Sequence, residues 1–161
     1  MIEALVSTNP DWVLTITRVV LGIVFFAHGA QKMLGWFGGP GFNATLQMLT
    51  KQLRIPGPLA VLVISAELFG GLGLIVGLLS RIAAAGIVLM LVGAVLMVHG
   101  RYGLFMNWYG NQKGHGFEYH LLAIALALAV IVNGAGAFSL DSLWYHHDIA
   151  QTSAQQQLTR R

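Results

Sequence analysis

Residues 58–99 read PLAVLVISAELFGGLGLIVGLLSRIAAAGIVLMLVGAVLMVH, a run of 42 residues in which Glu67 and Arg81 are the only Asp, Glu, Lys or Arg. A helix that crosses ~30 Å of hydrocarbon needs about 20 mostly apolar residues. The run therefore holds two spans, about 58–79 and 82–99, broken at Ser80-Arg81. So short a connection makes them an antiparallel pair. Pro58 costs little at a first helical turn, because the N–H it lacks would be unpaired there in any residue. The same arithmetic places a span on either side. One runs from Trp12 to about Leu34, with Asn9-Pro10-Asp11 as its N-terminal cap. The other runs from Glu118 to about residue 136. The expected fold is all-α, a polytopic membrane protein built as a four-transmembrane-helix bundle.

Composition excludes the main alternatives. Only 9% of the 161 residues are Asp, Glu, Lys or Arg and 56% are apolar, with a mean hydropathy of +0.70; soluble domains carry about 25% charge. There is no length left for a separate soluble domain, so residues 1–143 read as one membrane domain and 144–161 as a polar, flexible tail. The first eleven residues hold two acidic residues and no basic one, unlike the positive start of a secretory signal, so the first span is expected to be retained. Zero cysteines exclude disulfides, thiolate zinc and cysteine-held iron–sulfur clusters. The net charge of +3 is spread along the chain without a dense basic patch, so nucleic acid is not an expected partner.

Four spans put both termini and Ser80-Arg81 on one side of the bilayer, side A, and loops 35–57 and 100–117 on the other, side B. Arg18, Arg81, Arg160 and Arg161 fall to side A and Lys32, Lys51, Arg54, Arg101 and Lys113 to side B, so the positive-inside rule does not fix the orientation. In the first loop Phe42, Leu46, Leu49 and Leu53 repeat at helical spacing while Asn43, Thr45, Gln47, Thr50, Lys51 and Gln52 lie between them as the polar face. That pattern predicts a short amphipathic helix at the interface, either closing the end of the bundle or acting as a lid on a ligand site. Trp36, Tyr102, Phe105, Trp108 and Tyr109 read first as an interfacial aromatic belt and second as a surface for a stacked ring. Gly70, Gly71, Gly73, Gly77, Gly86 and Gly93 read as helix packing positions.

The ionisable residues carry the functional reading. A charge within a span costs at least ~2.5 kcal/mol on insertion scales and normally faces the bundle interior, where it marks a paired structural site or a functional one. At about 100° per residue, Arg18, His28 and Lys32 lie within an arc of about 80°, a face that should point inward. At ~1.5 Å per residue, Lys32 lies about 3 Å, His28 about 9 Å and Glu67 roughly 13 Å in from side B. His99, Arg101, Glu118 and His120 belong to the same end, and Arg18 and Arg81 to the other. Glu67 with His28 or Lys32 is either a buried ion pair that fixes register or a proton-handling group. His115, Glu118 and His120 match no zinc spacing, and only shared depth would link His28 and His99 to a haem, so metal and haem are disfavoured.

Gly22, His28-Gly29-Ala30-Gln31-Lys32, Gly38-Gly39, Glu67-Leu68-Phe69-Gly70-Gly71, Gly77, Arg81 with Ala83-Ala84, His99, Glu118 and Gly134-Ala135-Gly136-Ala137-Phe138-Ser139-Leu140-Asp141 together resemble the DoxX family of small bacterial membrane proteins, over roughly residues 12–143. The resemblance implies a four-helix fold in the bacterial inner membrane. It also implies relatives such as the DoxD-type subunit of a thiosulfate:quinone oxidoreductase and a DoxX protein that gathers a superoxide dismutase and a sulfurtransferase into a membrane complex. The family's polar positions carry over to His28, Lys32, Glu67, His99 and Glu118. This chain lacks the extra soluble part of the thiosulfate enzymes.

Two functions follow as expectations. The first is a redox-linked membrane subunit that holds a quinone in the side-B half, with Glu67 and His28 passing protons and Lys32 or Arg101 polarising a ring carbonyl; Glu67, His28 and Lys32 form its catalytic set. His99, Arg101, Glu118, Trp36 and Trp108 form the ligand-binding set. Electrons would come from a partner, because the chain shows no flavin, iron–sulfur or nicotinamide motif. The second is a non-catalytic scaffold or assembly factor whose side-B loops dock a protein partner, or a second copy in a homo-oligomer.

Overall fold

The computed structural model describes residues 5–147, and among them there are helices and no strand. Helix α1 spans Trp12–Leu34. Asp11 caps it, its carboxylate accepting from Leu14 N–H at 3.0 Å, and Gly35 ends it in the left-handed region at φ 73°. A 3₁₀ turn, Trp36–Gly38, leads to α2, Gly41–Gln47, which widens into a π-helical turn over Met48–Gln52. Helix α3 spans Gly57–Val76 and α4 spans Ser80–Ala94; α4 continues through a π turn, Val95–His99, and a 3₁₀ turn, Gly100–Tyr102. Helix α5 spans Glu118–Asn133. Residues 140–147 are again helical. Of the expected tail 144–161, the first four residues thus continue a helix and the last fourteen lie outside the described residues.

Three helices, Trp12–Leu34, Gly57–Val76 and Ser80–Tyr102, are long and apolar enough to cross a membrane; α5 is apolar but shorter. The expected boundaries shift in three places. Span two ends at Val76 rather than 79, α4 starts at Ser80 rather than 82, and α5 stops at Asn133 rather than 136. The first two differences have one cause. Ser80-Arg81 is not the break between the spans: Gly77, at φ 72°, ends α3 in the left-handed conformation that glycine adopts without a steric penalty, and Ser80 and Arg81 form the first turn of α4.

The helices form a closed ring in which α1 packs on α3, α3 on α4, α4 on α5 and α5 on α1. Leu21, Phe25, Leu74, Ala84, Ile87, Leu91, Ala123, Ala127 and Val130 fill its centre. The closest seam is α1 on α3. A Cβ added at Gly29 would overlap the backbone of Leu68, and one added at Gly71 would overlap the backbone of Phe26, so each helix lies directly against its neighbour's main chain. Gly86 and Gly93, also read as packing positions, face open space. The apolar stripe of the first loop, Phe42, Leu46, Leu49 and Leu53, packs with Ala60 and Ile64 of α3 and Met33 of α1. Thr45 beneath it is buried and donates to the Lys32 carbonyl at 3.2 Å.

The end of the bundle where α1 begins and α5 finishes is closed by three charged side chains. Arg18, 1% exposed, donates to the carbonyls of Leu74, Ile75, Ala135 and Phe138, satisfying the last turn of α3 and the segment that crosses it. Arg81 donates to the carbonyls of Ile131 and Val132 at the end of α5 and to Ser7. The Asp141 carboxylate accepts from Leu79 N–H at 2.7 Å and Ser80 N–H at 2.9 Å. It caps α4 from 61 residues away in sequence, where Leu79 supplies no side-chain cap of its own.

Candidate functional site at the Lys32–Glu67 end

About four turns of α1 beyond Arg18 the chemistry changes. Glu67 is buried on α3, and Lys32 of α1 reaches it across the close seam: Lys32 Nζ lies 2.8 Å from Glu67 Oε1 and 2.6 Å from Oε2. Both carboxylate oxygens therefore share one ammonium. Exposure is unequal, 3% for the Glu67 side chain and 36% for Lys32, so the carboxylate is enclosed while the lysine stem runs out to the rim. Gly29 is what allows this. It brings α1 onto Leu68, the residue after Glu67, three residues before Lys32 on the same helix.

The N-terminal turn of α5 faces the pair. Tyr119 lies within electrostatic range of Glu67, and His120 of Lys32. The two rings stand edge to face, 5.5 Å apart. His28 of α1 lies 6.4 Å from the Tyr119 ring, and His99 lies 4.2 Å from the His120 ring. His99 ends the π turn of α4, a widened turn that re-phases the helix and occurs often at functional sites. Its Nδ1 donates to the His115 carbonyl at 2.8 Å, which ties the loop after α4 to the cluster.

The expected site residues divide accordingly. Lys32 and Glu67 meet directly. His28 and His99 flank the pair through Tyr119 and His120. His28 does not point into a closed interior, as its helical face suggested: it is exposed, because α1 and α5 make the slightest contact in the ring and leave it uncovered beside Tyr119. Glu118 bonds Trp108, whose Nε1 donates to Glu118 Oε1 at 2.8 Å, so these two meet each other at the mouth of the loop. Arg101 is exposed with its guanidinium 4.8 Å above the Tyr102 ring, and Trp36 is exposed edge-on to Phe37. Neither is drawn to the ion pair by a recorded contact. Tyr119 is absent from the sequence reading, and His120 is placed there at this end of the bundle but in neither site set. Their signal was an aromatic phenol next to a histidine at the first turn of a span that starts at the depth of Lys32.

The DoxX family model matches residues 13–100. The chain belongs to the DoxX family. It is 32% identical, over 124 residues, to a Bacillus subtilis (strain 168) protein named "Putative oxidoreductase CatD", a match that covers 77% of this chain and 81% of the relative. No solved structure matches it. The DoxX protein described here is a multi-pass membrane protein whose apolar helices contact the lipid bilayer.

Proposed function

We propose that this DoxX protein is an integral membrane subunit of a redox-linked, quinone-associated system. Its working site is the acid–base cluster of Glu67, Lys32 and His28, flanked by His99, and it sits in the bacterial inner membrane with α5 as a fourth span and α2 at the bilayer interface. The observation that carries this reading is the enclosed carboxylate of Glu67 held by Lys32 at 2.6 and 2.8 Å, at the end of the bundle where His28 packs near Tyr119 and His99 near His120. Quinone reduction takes up two electrons and two protons. An enclosed carboxylate beside an ammonium and two imidazoles supplies groups that hold and pass protons, and the ammonium can polarise a ring carbonyl. The electrons come from a protein partner. The name of the Bacillus relative is in line with oxidoreductase chemistry.

The test uses membranes that contain the protein with its electron-donating partner. They should reduce an added short-chain quinone, and Glu67→Gln should cut that rate at least tenfold at unchanged protein level. An unchanged rate would end the redox reading.

A scaffold role has one observation in its favour. The loop after α4 is braced by Glu118 N–H to Leu104 O at 2.8 Å and by paired Asn107–Gln112 bonds of 2.9 and 3.1 Å, yet it presents Phe105, Trp108 and Tyr109 outward at 66%, 76% and 91% exposure. A built loop with three outward aromatics suits a protein or headgroup contact.

A further inference from the structure

Beside the Lys32–Glu67 pair stand two buried polar atoms with no hydrogen-bond partner among the described residues, the Tyr119 hydroxyl and His120 Nδ1. His120 is 7% exposed. Buried polar groups in native proteins are nearly always satisfied, and an orphan is costly. In an apolar bundle two orphans on adjacent residues need an explanation. The other such atoms, Ser80 Oγ and Arg81 Nε, lie at the opposite end, where the Ser80 backbone and the remaining Arg81 guanidinium nitrogens are already bonded.

We infer that Tyr119 Oη and His120 Nδ1 are the ligand-facing atoms of this site, and that they bind the oxygens of a lipid-soluble ring of the quinone or quinol class. The inference rests on the redox reading and names the residues that hold its ligand. Tyr119 and His120 lie on adjacent rings 5.5 Å apart, and each can donate or accept, so each can bond a ring carbonyl or its reduced hydroxyl. Glu67 and Lys32, by contrast, already have each other as partners. The approach is from the side: His28 is exposed next to Tyr119 at the slightest helix contact of the ring, so the Tyr119 hydroxyl, itself enclosed, lies behind the least covered seam of the bundle. On the far side His99 backs His120 at 4.2 Å and is held by the His115 carbonyl, which fixes the imidazole wall.

The purified full chain in detergent is titrated with decylubiquinone, and with decylbenzene as a probe of equal tail that lacks the ring oxygens, while Tm and Kd are read. Decylubiquinone should bind the wild type and raise its Tm, and decylbenzene should bind at least tenfold more weakly. Tyr119→Phe and His120→Phe should each weaken decylubiquinone about tenfold or more. In the absence of probe Tyr119→Phe should leave Tm unchanged or raised, because it deletes an unsatisfied hydroxyl. The inference is overturned if decylubiquinone does not bind, if both variants bind it like the wild type, or if decylbenzene binds equally well. It is also overturned if both variants fail to fold or lose Tm without probe, since the atoms would then be satisfied by water in the free protein. Failure of the redox reading looks different: decylubiquinone would still bind through Tyr119 and His120, while Glu67→Gln would leave turnover intact.

Discussion

Removing either member of the Lys32–Glu67 pair should destabilise the bundle, and the two losses should be unequal. Breaking a buried pair by deleting one partner costs about 3–5 kcal/mol when the survivor stays enclosed. Lys32→Met leaves the Glu67 carboxylate 3% exposed, with both oxygens deprived of the ammonium they share; this variant should fall in that range. Glu67→Gln leaves a lysine whose side chain is 36% exposed and whose stem can turn the ammonium toward the headgroups. Its cost should be about 1–2 kcal/mol, that of a weakened hydrogen bond rather than of a stranded charge. The double variant should cost no more than Lys32→Met alone, a coupling of about 1–2 kcal/mol. Reversible unfolding in mixed micelles, followed by tryptophan fluorescence, gives all three values. Additivity within about 0.5 kcal/mol, or a larger loss for Glu67→Gln than for Lys32→Met, would refute the reasoning.

Gly29→Ala should cost about 1–3 kcal/mol by overpacking α1 on the Leu68 backbone, while Gly86→Ala, which meets nothing within 4 Å, should be neutral or slightly stabilising in the same assay. Asp141→Ala should cost about 1–2 kcal/mol, because it removes the acceptor for two N–H groups at the start of α4, and backbone hydrogen exchange at Leu79 and Ser80 should rise. Single cysteines at Asn9 and Leu78 should label from one side of sealed vesicles and a cysteine at Tyr109 from the other, all three sites being exposed; Leu78 and Tyr109 labelling from the same side would break the four-span arrangement.

The ion pair was legible because depth in a membrane helix follows from counting residues: about two helical turns of agreement between Lys32 and Glu67 was enough to put them in reach. In the first loop the stripe at Phe42, Leu46, Leu49 and Leu53 runs over α2 and the π turn after it and clusters with Ala60, Ile64 and Met33. Other features depend on information that no local pattern carries. The polar dipeptide Ser80-Arg81 was weighed as a break in hydropathy, whereas the chain turns where Gly77 admits a left-handed conformation. The cap on α4 comes from Asp141, 61 residues downstream, and no spacing rule reaches that far. Arg18 shared a helical face with His28 and Lys32, but it is consumed by carbonyls at the opposite end. A helical wheel gives the direction of a side chain and not whether a neighbour covers it, which is why His28 stands open beside Tyr119. Tyr119 and His120 went unread as site residues because their importance lies in partners they lack, a property visible only once the bundle is closed.

The redox-linked reading requires that a quinone reside in the bundle. The full chain is purified from quinone-containing membranes in mild detergent, its lipids are extracted, and quinone is quantified by mass spectrometry against protein. Close to one quinone per chain is expected for the wild type, with a marked loss in Tyr119→Phe. Phospholipid alone, with quinone no higher than in an unrelated membrane protein purified in parallel, would contradict it.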